Sequence, residues 1–192
     1  MKTDIILAGV GGQGILTIAA AIGFASLYEK KFVKQSEVHG MSQRGGAVLS
    51  HLRISDHPIA SDLIPLGQAD LILSVEPMEA LRYLPYMDIN GWVVSNSVPF
   101  VNIIDYPSIE KIKREFESLL NSLLLDADQL AKDCQSPKSS NIAMLGAASE
   151  HLGLEFESLI AGVEQIFRRK GQDMVDANIR ALEAGRKFSK GL

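Results

Sequence analysis

The first half of the chain alternates short apolar runs with glycine or polar clusters, the rhythm of strands handing over to helices. Asp4 to Ala8 (D-I-I-L-A) is an unbroken apolar run of the kind that forms a strand buried on both faces. The cluster Gly9-Val10-Gly11-Gly12-Gln13-Gly14 supplies a turn. Ile15 to Tyr28, carrying Ala19, Ala20 and Ala21, then reads as a helix whose small residues let it lie close to a sheet. Lys31 to Gln35 predicts a short second strand, and Ser36 to Gly46, without periodicity, predicts a loop. Ala47 to Ile54 predicts a longer strand with Val48, Leu52 and Ile54 on one face and His51 and Arg53 on the other. No crossover helix precedes that strand, so it should pair antiparallel with its neighbour.

Further along, Ala69 to Val75 and Gly91 to Asn96 predict buried strands. Pro77 opens a helix running to about Leu84, and Leu123 to Asp126 predicts a short edge strand. Ser108 caps a helix with Ile109, Ile112, Phe116 and Leu119 on one face. From about residue 140 the pattern becomes helical, with segments at Asn141 to Leu152, around Leu159 to Phe167, and from Met174 to Phe188. The fold class expected is α/β: a Rossmann-like three-layer fold with a mostly parallel, mixed sheet and a helical C-terminal segment. Residues 1–192 are expected to form a single domain, with a helical C-terminal part at about 140–192.

Composition narrows the functional classes. With 46% hydrophobic and 22% charged residues, the chain is globular rather than disordered. A formal net charge of -4 leaves no chain-wide basic footprint, so nucleic acid is not an expected partner. Cys134 is the one cysteine, which excludes a disulfide framework and a Cys-ligated iron–sulfur or zinc site built from this chain alone. Ile5 to Tyr28 carries no charge and approaches the roughly 20 residues of a spanning helix. The glycine cluster interrupts it, so a membrane partner or an export signal is not expected, and the location expected is cytoplasmic.

Gly9, Gly11 and Gly14 match G-x-G-x-x-G between a strand and a helix, the context in which glycines let backbone approach a phosphate at a helix N-terminus. The same glycines also serve simple close packing of helix on sheet. A dinucleotide site needs an acid about 20 residues further on. That region reads Phe32-Val33-Lys34-Gln35-Ser36, with Glu37 arriving late. The second cluster is Ser36 to Gly46, in which Glu37, His39, Gln43 and Arg44 crowd between glycines, a composition costly to order unless something binds there. Arg44 could present its planar fork to a carboxylate or phosphate, and His39 could titrate near neutrality beside Glu37. His51 reads as a surface residue and Cys134 as inert. The alternatives at this level are a stand-alone nucleotide-binding protein or NAD(P)-dependent enzyme, or a subunit serving chemistry housed elsewhere.

I-L-A-G-V-G-G-Q-G-I-L-T (Ile6 to Thr17) together with S-E-V-H-G-M-S-Q-R-G-G (Ser36 to Gly46) resembles the gamma-type domain of 2-oxoacid:ferredoxin oxidoreductases, in its indolepyruvate branch. The blocks A-D-L-I-L-S-V-E-P-M-E-A-L-R (Ala69 to Arg82), S-N-I-A-M-L-G-A (Ser140 to Ala147) and N-I-R-A-L-E-A-G (Asn178 to Gly185) agree. The resemblance implies oxidative decarboxylation of a 2-oxoacid with coenzyme A to an acyl-CoA, carbon dioxide and reduced ferredoxin. It places thiamine diphosphate and [4Fe-4S] clusters in a large catalytic partner subunit, through which ferredoxin is met, and no cofactor on this chain alone. It also implies that Gly9, Gly11, Gly12, Gln13 and Gly14 form a cofactor-binding turn, with Glu37, His39, Gln43 and Arg44 in a substrate, coenzyme A or interface loop. No catalytic residue and no metal ligand is expected here.

Overall fold

The computed structural model describes residues 1–39, 45–101 and 103–191. In chain order it runs β1 (Lys2–Val10), α1 (Ile15–Tyr28), β2 (Phe32–His39), β3 (Ala47–Ser55), β4 (Ala69–Ser74), α2 (Pro77–Arg82) and β5 (Met87–Asn96). There follow α3 (Ile109–Glu117), β6 (Ser122–Leu125), α4 (Ala127–Asp133), α5 (Ser140–Ala147), α6 (Phe156–Phe167) and α7 (Gln172–Lys190). The strands form one sheet in the order β2-β3-β1-β4-β5-β6. β1, β4, β5 and β6 are parallel, whereas β3 runs antiparallel to both β1 and β2. The mixed, three-layer α/β expectation therefore holds.

Strands buried on both faces explain the apolar runs. Ile5, Leu7, Leu71 and Leu73 point into a core shared with α1, α5, α6 and α7, while Ile6, Ile72 and Val93 point into a second core beneath α2 and α3. Helix α1 has no charged residue among its 14 because it is wedged between the sheet and α6. Helices α5 and α7 cross so closely that a Cβ built on Gly185 would lie 1.9 Å from the Ala143 carbonyl oxygen. Trp92 of β5 stacks on His151, in the turn after α5, with ring centroids 4.3 Å apart, and burial lowers the imidazole's affinity for a proton.

One end of the sheet is closed by a polar strap. Asp4, fully buried, receives the Arg53 guanidinium in bidentate fashion at 2.7 and 2.9 Å. Burial pushes the Asp4 carboxyl up, but the hydrogen bonds and charges of Arg53 and Lys2 outweigh it and hold it below the ordinary range. The same Arg53 donates to the Ser61 and Leu63 carbonyls, and Lys34 donates to the Ala60 carbonyl, so residues 56–68 are strapped across the sheet.

Two expectations need correction. Ser36 to Gly46 is not all loop, because β2 continues to His39 through an unbroken ladder with β3 (Ser36↔His51, Glu37↔Ser50, Val38↔Leu49, His39↔Val48). Pairing satisfies the backbone there without any hydrophobic alternation. His51 is not at the surface but 3% exposed. The strap covers its face of β3, its Nδ1 accepts the Ile64 N–H at 3.2 Å, and its ring meets Tyr86 edge-on at 5.4 Å. Burial, with Arg53 assisting and Asp62 opposing, lowers its pKa.

Candidate functional site

The four parallel strands end along the same edge of the sheet, where α/β folds receive ligands. At the tip of β1 the glycine turn is forced by geometry. A Cβ on Gly9 would sit 2.4 Å from the Val75 side chain, so this glycine lets β1 and β4 close together and packs inward. Gly14 has φ +83, the left-handed region that favours glycine, and there it caps α1 with no side-chain cap. At the start of α1 the Thr17 and Ile18 N–H groups return to the Gly14 carbonyl, leaving those of Ile15 and Leu16 without an acceptor among the described residues. Gln13 folds back to brace the turn, its Oε1 accepting from the Val10 N–H at 2.8 Å and its Nε2 reaching the Val75 carbonyl at 3.5 Å.

The second motif reaches the same place. Gly11 N–H donates to the Gly46 carbonyl at 2.9 Å and Gly45 N–H to the Gly11 carbonyl at 3.4 Å, so the two residues that lead into β3 are tied to the glycine turn. Glu37 lies near the end of β2, half-buried opposite Ser50, and the backbone of His39 ends that strand opposite Val48. Gln43 and Arg44 lie outside the described residues.

A third segment was missed by the sequence reading. Helix α5 begins beside α1: Asn141 Nδ2 donates to the Gly14 carbonyl at 3.1 Å, and Ser139 caps α5 without a side-chain bond to it. Two helix starts therefore open at the glycine turn, with exposed Lys138 just ahead of the second. The S-N-I-A-M-L-G-A block was the available signal, but spacing alone could not bring residues 14 and 141 together.

Beyond β4, the fully buried Glu76 organises the next stretch of edge. One carboxylate oxygen accepts the Glu79 N–H at 2.8 Å and caps α2. The other accepts the Phe100 N–H at 3.2 Å and the Tyr106 hydroxyl. Burial and that carboxylate push the Tyr106 phenol far up, so it stays a proton donor.

The topology also bears on dinucleotide binding. β3 lies between β1 and β2, so the tip of β2 stands two strand spacings, about 10 Å, from β1. The position from which an acid would read a ribose beside the glycine turn is thus taken by the start of β3.

A glycine turn at the tip of β1, flanked by helix starts on a three-layer α/β sheet, defines a Rossmann-like α/β domain. Across residues 4–188 the sequence matches the family described as pyruvate ferredoxin/flavodoxin oxidoreductase, and the chain belongs to that family. It is 37% identical to indolepyruvate oxidoreductase subunit IorB of Pyrococcus horikoshii, the alignment covering 97% of this chain and 96% of that one. Its fold is similar to the gamma subunit of a keto/oxoacid ferredoxin oxidoreductase from Geobacter sulfurreducens (TM-score 0.71, 23% identity, 99% of each chain). It is also similar to 31% of the 2-oxoglutarate:ferredoxin oxidoreductase chain from Magnetococcus marinus, a structure with 2-oxoglutarate, coenzyme A and succinyl-CoA bound (TM-score 0.80, 20% identity, 100% of this chain).

Proposed function

We propose that this chain is the small subunit of a cytoplasmic 2-oxoacid:ferredoxin oxidoreductase acting on indolepyruvate or a related arylpyruvate. The complex joins the decarboxylated acyl group to the thiol of coenzyme A, releases carbon dioxide and passes the electrons to ferredoxin. Thiamine diphosphate, which stabilises the carbanion left by decarboxylation, and the [4Fe-4S] clusters belong to the large partner. A Cys-ligated cluster needs more thiolates than Cys134 supplies.

The observation that carries this reading is the joining of two sequence motifs, by backbone hydrogen bonds, at one edge of the sheet in a chain of this family. The role of these residues is binding and orientation rather than proton transfer. Gly12 and Gly14 offer N–H groups and the positive end of α1 to an anionic group of coenzyme A, Gly11 holds the turn through its bond to the Gly46 carbonyl, and the start of α5 adds a second donor face. Gly9 and Gln13 keep that turn in shape. Arg44 holds a carboxylate or phosphate, with Glu37 and His39 of β2 and Gln43 completing the polar motif.

The test is reconstitution. The chain alone oxidises no 2-oxoacid, whereas co-expression with the large subunit yields arylpyruvate- and coenzyme A-dependent reduction of ferredoxin. Arg44→Ala in the intact complex raises KM for coenzyme A or the 2-oxoacid about tenfold or more, the loss of one charged hydrogen bond. A lone chain that turns over substrate with its own bound nicotinamide overturns the proposal.

A further inference from the structure

Between β5 and α3 the chain carries Ser97-Val98-Pro99-Phe100-Val101-Asn102-Ile103-Ile104-Asp105-Tyr106-Pro107, with Asp105 its one charged residue. Four large apolar side chains there face solvent: Phe100 is 43% exposed, Val101 68%, Ile103 47%, and Ile104 completely. Single exposed apolar residues are ordinary, but four within five positions form a patch that a free-standing protein would bury. The segment is also held in place. Val98 N–H donates to the buried Asn96 side chain, and the single carboxylate of Glu76 takes the Phe100 N–H on one side of the patch and the Tyr106 hydroxyl on the other. A fully buried acid is therefore committed to presenting apolar side chains outward.

We infer that this loop is the apolar anchor on which the large, cofactor-bearing subunit docks, an inference that rests on the function proposed above. Position favours this occupant. The loop leaves the tip of β5 and is pinned to Glu76, two residues after β4, next to the β1 glycine turn that Gln13 ties to Val75. A subunit seated on the loop brings its cofactors to the edge that binds coenzyme A. Area disfavours a second copy. The four side chains expose on the order of 500 Å², short of the roughly 800 Å² per partner that a standard interface buries. A homodimer built on the loop alone would be undersized, whereas a partner that also covers the glycine turn and the β2–β3 connection reaches the needed area.

The experiment is co-expression of this chain with an affinity-tagged large subunit from the same organism, followed by capture and size-exclusion chromatography. Ile104→Asp changes a side chain that touches nothing in its own fold, so the purified variant should melt like the wild type. Its recovery in the complex should fall at least about tenfold, the effect of losing an interface anchor. Tyr106→Phe, which releases one tether, should lower recovery less. Ile89→Asp is the control: that residue is 85% exposed on β5 at the opposite end of the sheet, and recovery should not change. Wild-type recovery of both Ile104→Asp and Val101→Asp overturns the docking surface while leaving the proposed function standing, as does an equal loss with Ile89→Asp. Self-association of the isolated chain that Ile104→Asp abolishes, with complex formation intact, assigns the loop to a second copy instead. Failure of the wild type to bind the large subunit overturns the proposed function itself.

Discussion

The two ends of the sheet treat their polar groups in opposite ways. At the strapped end, Asp4, Arg53, Lys2, Lys34 and His51 bond within the chain, to one another or to the carbonyls and amides of residues 56–68. At the other end, helices α1 and α5 start without side-chain caps, and the loop after β5 turns its apolar residues outward. The first end is self-sufficient, and its chemistry ends in stability. The second leaves more of its groups without a partner among the described residues, and its few internal bonds (Gln13, Asn141, Glu76) shape the edge rather than close it.

Substitutions at the two ends should therefore separate stability from activity. The largest effect on folding belongs to Arg53→Ala, which leaves the buried Asp4 carboxylate with Lys2 as its one cation and releases the strap; a loss of about 3 kcal/mol is expected in chemical denaturation. Gly14→Ala comes next, at about 1–3 kcal/mol for a left-handed residue. Its added Cβ would also lie 2.5 Å from Asn141 Nδ2, so it should lower coenzyme A-dependent activity more than stability explains. Asn141→Ala removes a single bond to the Gly14 carbonyl and should cost about 1 kcal/mol, read as a small fall in melting temperature with a rise in KM.

The smallest effect is one of pH. The folded pKa of His51 lies below its unfolded value near 6.5, so its contribution is complete above that pH and is lost as pH falls through the lower folded value. Melting temperature should decline between pH 7 and 5, and His51→Asn, which keeps an acceptor for Ile64, should flatten that decline. Asp4 acts by the same sign further down, its stabilisation present above about pH 4 and lost below. A Gly14→Ala chain that folds normally and retains full activity would erase the contrast between the two ends.

The parts of the fold that could be read in advance are those where local pattern and burial agree. Ile5, Leu71 and Val93 lie in strands buried on both faces, and the missing crossover before Ala47 does give an antiparallel strand. Ser108 caps α3 through a bond to the Lys111 N–H. What escaped depends on distant covering. His51 alternates away from Val48 and Leu52 as expected, but nothing local announces that residues 56–68 will lie over it. The extension of β2 to His39 comes from its partner strand, not from its own alternation. At the site, the meeting of the glycine turn with the β2–β3 connection was implied by family resemblance. The joining of Gly14 to Asn141 spans 127 positions and follows only from how α5 lies on α1.

Trp92 is the sole tryptophan of the chain, and it stacks on His151 near the strapped end of the sheet. Its emission is therefore a built-in optical gauge of how the C-terminal helical layer sits on β5, and it stands far from the edge where a partner would arrive. In the isolated chain, fluorescence will report unfolding and the protonation of one imidazole, and it will be blind to events at the glycine turn. Ligand titrations on this protein call for calorimetry or an introduced probe.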